Sequence, residues 1–129
     1  MTCVYLSAED VVGIARSARG HALLVHDLGL VAEAAYRPSS AHSGKDVYPS
    51  VVEKAAALLQ SLAYRRPFVD RNKRTAWLSC VTFLAMNGVQ LRPDIDAAER
   101  LVVAVATGET DEVEVIARGL RELISSDVS

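Results

Sequence analysis

The residues of this 129-residue chain best suited to chemistry lie together between Arg65 and Arg74, where the order is Arg-Arg-Pro-Phe-Val-Asp-Arg-Asn-Lys-Arg. Arg65, Arg66, Arg71, Lys73 and Arg74 face one acid, Asp70, so the stretch carries +4 in a chain whose net charge is −2. Pro67 biases Arg66 away from helical backbone, which predicts that one helix ends there and another begins near Asp70 to Asn72. Lys and Arg then fall in the first turn of a helix, where unpaired N–H groups and the positive dipole end favour acids instead. Two readings of this stay open. An anion such as a phosphate, held by the backbone N–H groups with cationic side chains closing round it, reconciles the charges. A solvated basic helix start that the fold tolerates is the other.

Apolar spacing predicts the elements that hold this stretch. Ser7 reads as the N-cap of a first helix with acids in its first turn, followed by Ala8, Val11, Val12, Ala15 and Ala18 at helical spacing and a stop at Gly20. Gly29 to Ala35 reads as a short helix that Pro38 ends. Arg37 to Pro49, with Ser39, Ser40, Ser43 and Gly44, reads as a loop or irregular hairpin. Val51 to Tyr64 is a helix with Val51, Val52, Ala55, Leu58, Leu59 and Leu62 inward, and Pro49 suits its first turn. Asn72 to Asn87 is the most apolar helix, expected to be central with Trp77 in the core, and Gly88 caps it. After a brief extended link at Val89 to Leu91, Asp94 or Asp96 caps a helix through Ala97 to Ala106 that Gly108 ends. Thr110 with Asp111 and Glu112 opens a last helix, and Ser125 to Ser129 is expected to fray. The sum is an all-α single domain, residues 1–129, of about six helices, with the cationic loop at the N-terminus of the central helix.

The composition, half apolar and about a quarter charged, is that of an ordinary globular domain large enough for a core of its own. The net charge of −2 argues against a general nucleic-acid binder, which carries a broad basic face, so no specific nucleic acid is expected. A weaker alternative has the cationic loop bind RNA backbone. Cys3 and Cys80 have no metal-like spacing, and Cys80 falls in an apolar helix, so a reducing cytoplasm is expected. No run of about 20 apolar residues and no export signal is present, so no membrane is expected. His21 and His26 are read as ordinary side chains rather than a metal pair, and His42, in the loop, is a minor candidate for a base.

Pro67-Phe68-Val69-Asp70-Arg71-Asn72-Lys73-Arg74-Thr75-Ala76 resembles the signature of the Fic/Doc superfamily, and its Asn-Lys-Arg-Thr-Ala ending resembles the Doc (death-on-curing) branch. Leu58 to Ala63, Met86-Asn87-Gly88-Val89-Gln90 and Ala104 to Glu109 extend the likeness, so it covers most of the chain. Classical Fic proteins have Gly where this chain has Lys73 and a second Arg where it has Trp77. The resemblance implies that Asn72, Lys73 and Arg74 hold phosphate oxygens, with Arg71 beside them. It further implies that Asp70 binds a divalent metal or orients the reacting groups, that Phe68 anchors the loop, and that the segment after Arg37 is a flap aligning the target. ATP and Mg²⁺ are the implied cofactors. A Phd-like antitoxin and elongation factor Tu, phosphorylated on a hydroxyl, are the implied partners, with AMP transfer as the Fic alternative. No inhibitory helix motif is found in the chain, so control in trans is expected.

Two departures bear on activity. The family has His, its general base, where this chain has Arg66, and a guanidinium stays protonated at any physiological pH. It has a small residue where this chain has Arg71, whose bulk narrows an anion nest. The expectation is a Doc-like phosphotransferase toxin that is inactive or weakened as written. The alternative is a pseudoenzyme that binds nucleotide, phosphate or antitoxin without turnover, with Arg66 as an extra phosphate clamp.

Overall fold

A computed structural model describes residues 2–19 and 25–124. Six α-helices run through the described residues in the order α1 (Ala8–Arg19), α2 (Leu28–Tyr36), α3 (Val51–Arg65), α4 (Asn72–Met86), α5 (Ile95–Ala106) and α6 (Val113–Leu123). The all-α expectation therefore holds. His21, the Gly20 stop and the tail Ser125 to Ser129 lie outside the described residues.

Local chemistry sets most helix starts. Ser7 Oγ accepts from the Asp10 N–H (3.0 Å) while an Asp10 carboxylate oxygen accepts from the Ser7 N–H (2.9 Å). Ser50 and Glu53 make the same reciprocal pair ahead of α3, so Pro49 lies just outside the helix rather than in its first turn. Asp94, not Asp96, caps α5 through the Ala97 N–H. Asp27 caps α2, so that helix begins one residue earlier than its sequence suggests.

Helix α4 packs against α1, α3 and α5, and α3 shares its central position, touching α2, α4, α5 and α6. Alanine makes that possible: Ala55, Ala56, Ala57 and Ala63 of α3 are all fully buried, and side chains this small let neighbours approach from several sides. On α4 the buried face is Thr75, Ala76, Ser79, Cys80, Phe83 and Leu84. Trp77, expected in the core, is only partly buried and packs at its margin. Burial pushes the Cys80 thiol up to about 12, so this cysteine behaves as a small hydrophobe.

Asparagine holds an extended segment at each end of α4. Asn87 accepts from the Val4 N–H (2.8 Å) and donates to the Val4 carbonyl (2.9 Å), tying the N-terminal segment to the helix end. Asn72 does the same to Phe68, as described below.

Between α2 and α3 the polar interruption folds into a 3₁₀ turn (Arg37–Ser39) and a hairpin of β1 (Ala41–His42) and β2 (Lys45–Asp46), paired antiparallel with Ala41 opposite Asp46. Ser43 and Gly44 both have positive φ, 51° and 77°, the geometry of a tight two-residue hairpin turn. Two cations secure this segment. Arg37 donates through Nε to the Tyr48 hydroxyl (2.9 Å) and through Nη1 to the Ala57 carbonyl (3.2 Å), Gln60 Oε1 (2.8 Å) and Ser61 Oγ (3.1 Å). Lys54, 2 % exposed, donates from Nζ to the Tyr48 carbonyl (2.6 Å), Asp46 Oδ2 (3.0 Å) and the Pro38 carbonyl (3.3 Å). Burial by itself lowers the Lys54 pKa, but the hydrogen bond and charge of Asp46, with Tyr5 nearby, outweigh it and the net shift is upward.

Lys54→Met strands the Pro38 and Tyr48 carbonyls, and the expected cost is about 2–4 kcal/mol in urea unfolding, with faster proteolysis inside residues 41–46. A raised lysine pKa stabilises below the unfolded value of about 10.4 and is lost as pH climbs through the folded value, so the difference between native protein and Lys54→Met should hold from neutral pH to about 10 and shrink above it. Under native conditions a thiol alkylating agent should leave Cys80 unmodified.

Candidate functional site

The loop between α3 and α4 is bounded by two strained residues. Arg66, ending α3, has φ 50° and ψ 63°, and Arg71, preceding α4, has φ 61° and ψ 26°. Left-handed backbone is unfavourable for a residue with a Cβ, and such strain persists only where surrounding bonds fix it. The bonds that fix it are specific. Asn72 Oδ1 accepts from the Phe68 N–H (3.0 Å) and Asn72 Nδ2 donates to the Phe68 carbonyl (2.8 Å). From the other side the Pro67 carbonyl accepts from the His26 and Asp27 N–H groups (2.8 and 2.9 Å), and Val25 bridges Phe68. The Phe68 ring is 3 % exposed and joins the main core.

Helix α4 therefore begins in an unusual state. Its first turn contains no acid, and Arg71 provides no side-chain cap. The helix N-terminus opens towards a cavity of about 630 Å³ whose polar lining includes Arg66, Arg71, Asn72, Lys73 and Arg74. Four cations and a helix dipole thus converge on one space, an arrangement that attracts a multiply charged anion. Of the residues expected at the site from sequence, these five come together. Phe68, read from the sequence as the loop's apolar anchor, packs in the core, and Asp70 is exposed on the loop just before Arg71. His42 lies on the exposed hairpin.

The sequence did not announce the opposite wall. Glu99, Val103, Ala106 and Thr107 of α5 and its C-terminal turn face the cationic loop across the cavity. Gly108 lets this turn approach α3: it has φ 84°, and a Cβ there would stand 3.0 Å from the Tyr64 ring. A second, more apolar groove of about 410 Å³ continues from the cavity between α4 and α5, past Trp77, Ile95 and Val102. Lys73, Arg74, Glu99 and Val103 line both spaces. The spacing of Ile95, Ala98, Glu99, Val102 and Val103 would have marked one face of α5, but nothing in it told which element that face would meet.

Replacing Arg71 by Gly, which tolerates left-handed backbone, should relieve about 1 kcal/mol of strain and raise Tm by about 4 °C. Asn72→Ala removes both bonds to the Phe68 peptide; the expected loss is about 1–3 kcal/mol, read by urea unfolding, together with weaker binding of inorganic pyrophosphate at the cavity.

Comparison with known proteins shows the family. Residues 5–84 match the Fic/DOC family. A curated relative, Toxin Doc of Mycolicibacterium smegmatis (strain ATCC 700084 / mc(2)155), is 50 % identical over 109 residues, spanning 83 % of this chain and 84 % of that protein. With a family match over more than half its length and a relative this similar, the chain belongs to the Fic/DOC family, on its Doc branch.

Proposed function

We propose that this chain is the toxin of a toxin–antitoxin pair and a nucleotide-dependent phosphotransferase acting on a protein hydroxyl, weakened by the presence of Arg66. The observation that carries the reading is the 630 Å³ cavity, in which four cations surround an uncapped helix start. A nucleoside triphosphate matches it in charge: the N–H groups of the first turn of α4, with Asn72, Lys73 and Arg74, would hold phosphate oxygens. For such a transfer the protein positions the acceptor hydroxyl, holds the triphosphate and offsets developing charge.

A divalent metal fits the donor set together with phosphate oxygens. Among the described residues no group of three or more His, Cys, Asp or Glu could hold an ion, whereas Mg²⁺ commonly binds through one carboxylate and substrate phosphates. Asp70 is the carboxylate that would hold it, and the metal would supply charge neutralisation at the triphosphate. The hairpin of β1 and β2, fixed by Arg37 and Lys54, would serve as the flap that aligns the acceptor backbone. ATP is the expected nucleotide, elongation factor Tu the expected acceptor and a Phd-like antitoxin the expected partner. The relative's name, a toxin, supports an antitoxin partner in general; ATP, elongation factor Tu and the Phd-like type of antitoxin follow from the resemblance of the motif to the Doc signature. Lys73 and Trp77, standing where Fic proteins that transfer AMP have Gly and Arg, favour phosphate over AMP. No helix among the described residues is long and apolar enough to cross a membrane, which is compatible with a cytoplasmic target.

Arg66 favours a second reading, a pseudoenzyme that binds nucleotide or antitoxin without turnover. Intact mass of elongation factor Tu after incubation with Mg-ATP separates the two. Arg66→His should add one phosphate at least about 100-fold faster than the native chain, the usual scale of a positioned general base. Addition of AMP instead would move the chain to the Fic chemistry. If neither protein modifies the factor while Mg-ATP still binds, the transferase reading falls and the binding module stands.

A further inference from the structure

We propose that Glu99 is the proton acceptor of the site. This rests on the transferase reading above and assigns a role that Arg66 cannot fill. The argument is one of chemistry within a closed set. Among the described residues lining the cavity, Arg66, Arg71, Lys73 and Arg74 have cationic side chains that only donate, Asn72 carries a neutral amide and Thr107 a hydroxyl, and apart from Glu99 the others are apolar. Glu99 is the one lining side chain that can take a proton from an attacking hydroxyl.

Its placement suits the task. Glu99 lies on α5, across the cavity from the cationic start of α4, and lines both the anion-binding space and the apolar groove beside it. It is solvent-exposed, so a proton taken up there can pass to water. Its helix packs against α3, α4 and α6, and Gly108, just beyond its end, lies close to the Tyr64 ring of α3. Carboxylates already perform this step in phosphoryl transfer: in protein kinases an Asp accepts the proton of the substrate hydroxyl. In the reaction the acceptor oxygen forms a bond to the γ-phosphorus. The bond from that phosphorus to the β–γ bridging oxygen breaks, ADP leaves with the electron pair, and the hydroxyl proton passes to a Glu99 oxygen and then to water.

The test compares four purified proteins, the native chain, Glu99→Gln, Arg66→His and the double variant, each by its single-turnover rate of phosphate transfer from Mg-ATP to elongation factor Tu and by its affinity for Mg-ATP. Gln keeps the size and polarity of Glu99 and removes only the basic oxygen. The native chain should transfer phosphate slowly, and Glu99→Gln should slow it about 100-fold or more while binding Mg-ATP as tightly or more tightly. Because the imidazole introduced by Arg66→His supplies a base of its own, the double variant should keep most of the Arg66→His rate. Equal rates for the native chain and Glu99→Gln overturn the assignment, as does a native chain that is inactive while Arg66→His is active. If Arg66→His is inactive as well, the transferase reading fails and takes this assignment with it, an outcome distinct from the other two.

Discussion

The two hydrogen bonds from the Asn72 side chain to the Phe68 peptide are the constraint on which the rest of the site depends. A helix start ordinarily satisfies its free N–H groups with a cap from the preceding residue. Here the first residue of α4 turns its amide back along the chain instead, and the residue before it, Arg71, is left-handed and caps nothing. The loop is thereby pulled tight, with Phe68 driven into the core and the Pro67 carbonyl taken up by the segment at His26 and Asp27. What remains unsatisfied is the positive end of the helix, directed at a cavity lined by four more positive charges. Hydrogen bonds and burial at Phe68 fix the backbone that presents these charges.

The cations of this chain divide into two physical roles by their surroundings. Lys54 and Arg37 have their donors turned inward on carbonyls, hydroxyls and one carboxylate, and they fix the hairpin to α3. Arg66, Arg71, Lys73 and Arg74 are exposed and share one cavity. The first kind is structural because stranding its partners would leave buried carbonyls without donors. The second is suited to binding because its charge is met by an incoming anion. An exposed Glu99 on the facing helix places one carboxylate in that space beside the four cations.

Tertiary context decided several features that propensity could not. Lys54, a charged residue beside the apolar stripe of α3, is buried because Pro38, Asp46 and Tyr48 come back over the helix to accept its three bonds. Trp77 reads as a core residue and lies at the margin: the small side chains Ala76, Ser79 and Cys80 are among the buried residues of α4, while the indole lines the groove shared with α5. Thr75 and Ser79, polar yet buried, blur the periodicity of α4, which is why its apolar content was legible and its orientation was not.

The sequence by itself determined the helix order, some of the caps and the cationic character of the loop, since these follow from interactions among residues a few positions apart: Ser7 with Asp10, Pro67 breaking α3, and the run of cations at the start of α4. It also carried the family, through the motif at Pro67 to Ala76. Only the tertiary structure decided what stands opposite that loop. Glu99, Val103 and Thr107 are some thirty residues away along the chain, and their arrival at the cavity depends on how α5 packs against α3, α4 and α6. Local spacing encodes which face of a helix is apolar; it does not encode which helix that face will meet.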